Sequence, residues 1–206
     1  MFAYVKDGSI VSMPNGNKGI KIGDNQYPKT IFSLWTEAER NAIGVYTIEI
    51  DETNKKDSEY YINTNITYAF GSGKVTGTYG TATARAIADT KWTQAQIDDP
   101  SLVGQAPEGA DTNTVRLEGL KTLKKRELDN QCKSILAPSD WMASKAFEEG
   151  GDVESGWKTW RASVRTKCNS MQTQIDNAAN TAALQALFTY TGDPATRPLG
   201  EFPIKE

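Results

Sequence analysis

Histidine is absent from this chain of 206 residues, and cysteine occurs only twice. The first absence removes every Ser/His/Asp and Cys/His mechanism. With no third cysteine either, a typical zinc site cannot be built within one chain, so a catalyst would have to rely on carboxylates, lysine or tyrosine. Cys132 and Cys168 fall in helix-like segments rather than in a closely spaced framework. That argues against a disulfide scaffold and predicts two reduced thiols filling a helix seam. Long apolar runs are also missing: none approaches the roughly 20 residues of a membrane-spanning helix. The opening MFAYVKDGS lacks the basic start and apolar middle of a signal peptide, which predicts a cytoplasmic protein. There is no excess of basic charge. A formal net charge of −3 and a pI near 5.2 give no reason to expect a nucleic-acid partner.

What is present reads as two differently built parts. FAYV and SIVS are β-prone runs joined by Asp7-Gly8, the signature of a tight hairpin turn. Residues 14–30 are rich in Gly, Asn and Pro and read as a loop. Thr36 to Glu39 form a capping box opening a short helix that Gly44 ends. From Val45 to Ile50 the chain alternates, with Tyr46, Ile48 and Ile50 on one face. Ile62, Ile66, Tyr68 and Phe70 precede GSG, with Val75 and Tyr79 after it, so residues 60–83 read as a second hairpin. Composition then shifts toward Gly, Pro and acids, marking a linker.

The back half has helical periodicity. Leu117, Leu120, Leu128, Cys132 and Leu136 lie on one face of a helix over 113–136, with a basic KKR patch on the other and Pro138 as the stop. A short helix follows, capped by Ser139 and ended by Gly150-Gly151. Val153, Trp157, Trp160, Val164, Cys168, Met171 and Ile175 then recur at the spacing of a packed seam. Residues 113–178 are thus predicted to form a hairpin with Trp157, Trp160 and Val164 against Leu117, Leu120 and Leu128. Arg161 and Arg165 are expected to snorkel or to pair with Glu148 and Glu149. Asn180 caps a last helix through Phe188, and the remaining residues read as an extended tail. The resulting expectation is an α+β protein: a β-rich unit over 1–90, a linker over 91–112, a helical unit over 113–190 and a tail over 191–206.

Several motifs fail on inspection. GSGK at 71–74 has Tyr68 and Val75 where a phosphate loop needs glycine and Ser/Thr. Asp51, Thr53 and Lys55 mimic calcium-loop spacing, but Lys55 and Lys56 would repel the ion and block the turn. Asn65-Ile66-Thr67 matches a glycosylation sequon, a common chance pattern. The acid pairs Asp98-Asp99 and Glu148-Glu149 would be needed for a carboxylate hydrolase, but adjacent acids are ordinarily solvated. The expected catalytic, metal and cofactor residues are therefore none. Tyr60, Tyr61, Tyr68, Tyr79 and Trp92 could instead line a sugar-binding or protein-binding face.

The run LAPSDWMASKAFEEGGDVESGWKTWRASVRTK resembles the phage tail assembly chaperone module, whose hallmark is "TDW", an acidic or Pro-rich spacer, then "W..YR..LR". SDW at 139–141 matches the first element and WKTWRASVR at 157–165 the second. Trp160 stands where the family tends to have tyrosine, Val164 fills a leucine slot, and extra glycines precede Trp157. More loosely, the YVKDG hairpin and the ER.AIGVY passage resemble N-terminal units that accompany this module in tailed phages. The resemblance implies a non-enzymatic protein acting in the host cytoplasm during assembly, or retained in the virion tail. Its partner would be a tail or tail-fibre polypeptide, and its motif core Trp141, Trp157, Trp160, Arg161 and Arg165. The alternative is a fibre-tip module binding host carbohydrate. The apolar positions Cys168, Met171, Ile175, Leu184, Leu187 and Phe188, with Phe202 of the tail, exceed what a short hairpin can cover. They are the expected contact with that partner, in a symmetric homo-oligomer.

Overall fold

The computed structural model describes residues 1–205, and the fold is α+β, with two compact units, residues 1–83 and 84–206. In the first unit, β1 (Phe2–Lys6) and β2 (Ser9–Ser12) form the expected hairpin, closed by Asp7 and Gly8, both at positive φ. Residues 14–30 are not simply a loop: β3 (Ile20–Ile22) and β4 (Asn25–Tyr27) pair across a turn at Gly23, which adopts the positive φ that glycine favours. Only three residues per strand carry the pattern, too few for periodicity to register.

Helix α1 (Ile31–Leu34) leads into α2 (Glu37–Ala42), whose capping box forms as expected: Thr36 accepts from the Glu39 N–H, and Glu39 accepts from the Thr36 N–H at 2.7 Å. Strand β5 (Val45–Asp51) follows. After β6 (Tyr61–Ile62), β7 (Ile66–Gly71) and β8 (Lys74–Tyr79) make the second hairpin, which turns at Ser72 and Gly73. Ile62 lies outside that hairpin and is exposed.

The main sheet has the order β2-β1-β5-β8-β7, with β5 and β8 parallel and Ile48 in register with Val75. Its twist brings edge strands β2 and β7 near each other, so the sheet curls around Ala3, Val5, Ile48 and Val75, with Tyr46, Tyr68 and Phe70 at the margin. Ile50 shares this parity but stays exposed. On the opposite face, Phe2 stacks on Phe32 at 4.8 Å and lies under the Arg40 guanidinium, which also donates to the Trp35 carbonyl.

The second unit starts at Ala84, inside the span expected to belong to the β-rich unit, and takes in the residues expected to be a linker. A two-residue strand, β9 (Thr83–Ala84), straddles the division. Residues 85–92 are then bonded to the start of α4 (Leu120–Leu136). Leu120 and Lys121 donate backbone N–H groups to the Ala86 and Ile87 carbonyls, and Gly119 donates to Asp89 at 2.7 Å. A helix start leaves such donors free, and here main chain replaces the side-chain cap that α4 lacks. The Gly119 N–H holds the Asp89 carboxyl below its ordinary range, aided by Thr122 and opposed by partial desolvation. Strands β10 (Thr90–Lys91) and β11 (Val115–Leu117) pair around the short helix α3 (Gln94–Ile97). Trp92 is buried beneath Arg116. The linker reading over 91–112 is corrected accordingly: its polar, Gly-rich composition hid the single buried tryptophan that anchors it. Leu117 belongs to β11 and is exposed, so α4 starts later than expected.

Helices α4 and α6 (Ser155–Asn177) lie antiparallel: Lys125 pairs with Asp176, Asp129 meets Cys168 and Gln172, and Arg161 reaches Leu136. The α4 seam is Leu120, Lys124, Leu128, Cys132 and Leu136, a strict i, i+4 series in which a lysine is buried. Lys124 pairs with Glu127 and lies over the Phe188 ring, so the KKR patch is not wholly on the outer face. Helix α7 (Thr181–Phe188) is capped by Asn180 as expected.

Candidate partner-binding site

The corner between α4 and α5 (Asp140–Glu148) is built by one side chain. Pro138 ends regular α-helix, and a 3-10 turn over Ala137–Ser139 redirects the chain. Arg161, on α6 and buried, donates to the Leu136 carbonyl at 3.0 Å, to the Ser139 hydroxyl and to Asp140 at 2.5 Å. Its cation sits where the α4 carbonyls end, a favourable position on the helix dipole. Ser139 stands at the N-cap of α5 as expected but makes no capping bond: its hydroxyl donates back to Leu136 and accepts from Arg161. Arg161 pairs with Asp140 rather than with Glu148 or Glu149.

Beyond the pinned corner α5 has no buried residue, with Trp141 58% and Phe147 88% exposed. A groove of about 310 Å³ lies between α5 and the start of α6, walled by Trp141 and Met142 on one side and Trp157 on the other, with Val153 between them. Glu149, Asp152 and Glu154 form its rim with Lys145, which is 3.8 Å from Glu149. Lys158 reaches Asp152 at 3.2 Å. A smaller adjoining groove takes in Arg165 with Asp152 and Val153.

Trp157 meets Trp160 edge to face at 5.6 Å, and the Trp160 indole N–H donates to the Pro203 carbonyl at 3.0 Å. Both tryptophans are half-buried. They pack with each other and with the tail, not against α4 as the seam spacing predicted; the rhythm continues through them, but α4 ends opposite Arg161. The tail is correspondingly docked rather than merely extended. Leu199 is fully buried and its N–H donates to the Leu187 carbonyl, Lys167 donates to the Leu199 carbonyl, and Glu201, ion-paired with Arg197, accepts one bond from it and one from Tyr190.

The expected partner stripe is occupied by the fold itself. Cys168, Met171, Ile175 and Leu184 are buried, and Leu187, Phe188 and Phe202 are half-buried, Phe188 beneath Lys124 of α4 and Leu187 beside Leu199 of the tail. The count of apolar positions was right, but the covering elements α4, α7 and the tail were undercounted. The two cysteines are free and buried. Burial, then hydrogen bonding to Cys132, pushes the Cys168 thiol up to about 12. The proposed aromatic platform does not assemble: Tyr60, Tyr61 and Trp92 are buried, while Tyr68 and Tyr79 are half-buried. Asp98 and Asp99 accept local bonds from Gln94 and Ser101.

All five motif residues cluster around α5 and α6, Arg161 as the pin and Trp141 and Trp157 as facing walls. The contributions of Met142, Lys145 and the tail went unanticipated. The sequence signal for the first was an α5 richer in Trp, Met, Ala and Phe than any neighbour could cover. No family model, curated protein or solved structure matches the chain. No helix among the described residues is long and apolar enough to cross a membrane.

Proposed function

We propose that this is a non-enzymatic protein of a tailed bacteriophage that binds a tail or tail-fibre polypeptide through the α5–α6 groove. It acts as an assembly chaperone in the host cytoplasm or as a retained tail component. The observation that carries the reading is the convergence of Trp141 and Trp157, the outer tryptophans of the resembled motif, on one open groove. A helix that exposes Trp141 and Phe147 while burying nothing calls for a covering partner. Tryptophans in such grooves are the side chains that dominate binding energy. Lys145 faces Glu149 and Lys158 faces Asp152, so the rim is largely charge-balanced and the apolar walls of the groove carry the recognition of a partner's apolar anchor.

Co-expression with the tail or tail-fibre protein followed by pull-down tests the reading. Trp141→Ala and Trp157→Ala should each weaken capture roughly 30-fold, the size of an interface hot spot. Undiminished capture by the double variant, or capture by residues 1–83 alone, would move the interface out of this groove.

A further inference from the structure

The tail segment lies on the far side of the same tryptophan that walls the groove. The Pro203 carbonyl receives the Trp160 indole N–H, and the Lys205 ammonium sits 5.4 Å from the centre of the Trp157 ring. From Leu199, held at Lys167, to Lys205 beside Gly156, the segment runs antiparallel to α6. Glu201 is still tied by Tyr190 and Arg197, but past Phe202 the segment is more open. Ile204 is 87% exposed, and open clefts flank the segment on both sides, one beside Ser155 and Thr159, the other along Thr166 and Ser170.

We propose that Pro203–Lys205 is the resident, displaceable occupant of a linear-segment site on α6, and that the partner polypeptide takes its place using the same two contacts. The partner therefore supplies an extended segment with a backbone carbonyl facing Trp160 and, two residues later, a Lys or Arg cation over Trp157. This rests on the reading of α5–α6 as the partner site and specifies what that site recognises. Both contacts are weak singly: an indole hydrogen bond and a cation on an indole face are together worth about tenfold in affinity. A site occupied nine-tenths of the time by its own chain lowers the apparent affinity for a competitor by the same factor. The tail thus sets a threshold that only a segment with matching chemistry, or one that also fills the Trp141 groove, overcomes.

The test compares the full chain with one ending at Gly200, which keeps the buried Leu199, using the acetylated peptide EFPIKE as probe. Truncation should shift tryptophan emission to the red and raise iodide quenching, and about millimolar peptide should reverse both saturably. The full chain should need about tenfold more peptide, and a peptide carrying K205E should bind about threefold to fivefold more weakly. A full-length Lys205→Glu chain, which keeps every folding contact before Lys205, should respond to less EFPIKE. Unaltered emission on truncation, or equal responses to the two peptides, would overturn the proposal. If the peptide behaves as expected but no tail protein is captured, the phage reading fails and the displaceable-tail site stands.

Discussion

Replacing Arg161 with Met tests how α5 is held. The side chain is almost fully enclosed and supplies three acceptors at once: the Leu136 carbonyl, the Ser139 hydroxyl and Asp140. Met fills a similar volume, so the cost is that of lost hydrogen bonds rather than of a cavity. Asp140 is 63% exposed at its side chain and regains water when abandoned, so its share is small. Leu136 keeps the Ser139 hydroxyl as donor, whereas the Ser139 oxygen loses the Arg161 N–H. Hydrogen bonds to a charged group are worth about 1.5–3 kcal/mol each, and with partial compensation the expected loss is about 3 kcal/mol. For a unit of about 120 residues this lowers Tm by roughly 10–15 °C. Tryptophan emission is the assay, since Trp92, Trp141, Trp157 and Trp160 all lie in this unit and only Trp35 lies in the other. Arg161→Lys should recover less than half, because one ammonium cannot reproduce a planar fork serving three acceptors. A fall below about 3 °C for Met, or full recovery by Lys, would refute the assignment of Arg161 as the corner's pin.

Gly119→Ala should destabilise the second unit by more than about 2 kcal/mol in chemical denaturation, because an added Cβ would lie 2.3 Å from the Ala88 carbonyl carbon, which is backbone and cannot turn aside. Native alkylation of Cys132 and Cys168 should be slow, since both are buried and Cys168 stays protonated. After denaturation without reductant, intact mass should show two modifications, and none would reveal a disulfide. The Glu201 carboxyl is held below the 4.5 of a free glutamate, first by the Tyr190 hydroxyl and then by Arg197. Because the folded pKa is the depressed one, its contribution to tail docking is complete above 4.5 and is lost as pH falls through the lower folded value. Tryptophan quenching should therefore hold steady from pH 7 to about 5 and rise only in stronger acid, a rise that Glu201→Gln brings forward to neutral pH.

Local chemistry was the legible part of this chain. Asp7-Gly8, the Thr36–Glu39 box, the turn at Ser72-Gly73 and the Asn180 cap each depend on residues a few positions apart, and each formed as the sequence indicated. The α6 seam was equally readable from Val164 to Ile175. What failed needed knowledge of a distant partner. Trp157 and Trp160 kept the seam rhythm past the point where α4 stops, and Ser139 had the right residue type for a cap but was claimed by Arg161, 22 positions away. Residues 85–92 were divided between the β-rich unit and a linker because their bonds go to Gly119, Leu120, Lys121 and Thr114 rather than to each other. The candidate site was half legible: its two tryptophans stood out as a motif, whereas the tail's place beside them depended on tertiary contacts alone.

The parallel pairing of β5 with β8 has a kinetic consequence. Hairpins β1–β2 and β7–β8 each close over a two-residue turn and can form within about 10 μs. Setting Ile48 beside Val75 instead closes a loop of about 27 residues, an entropy cost of roughly 3 kcal/mol that the ladder must recover before it is favourable. Folding of the first unit should thus be limited by docking two preformed hairpins onto β5. Trimming Val75 to Ala should slow refolding, whereas altering the turn at Ser72-Gly73 should chiefly change the supply of hairpin entering that step.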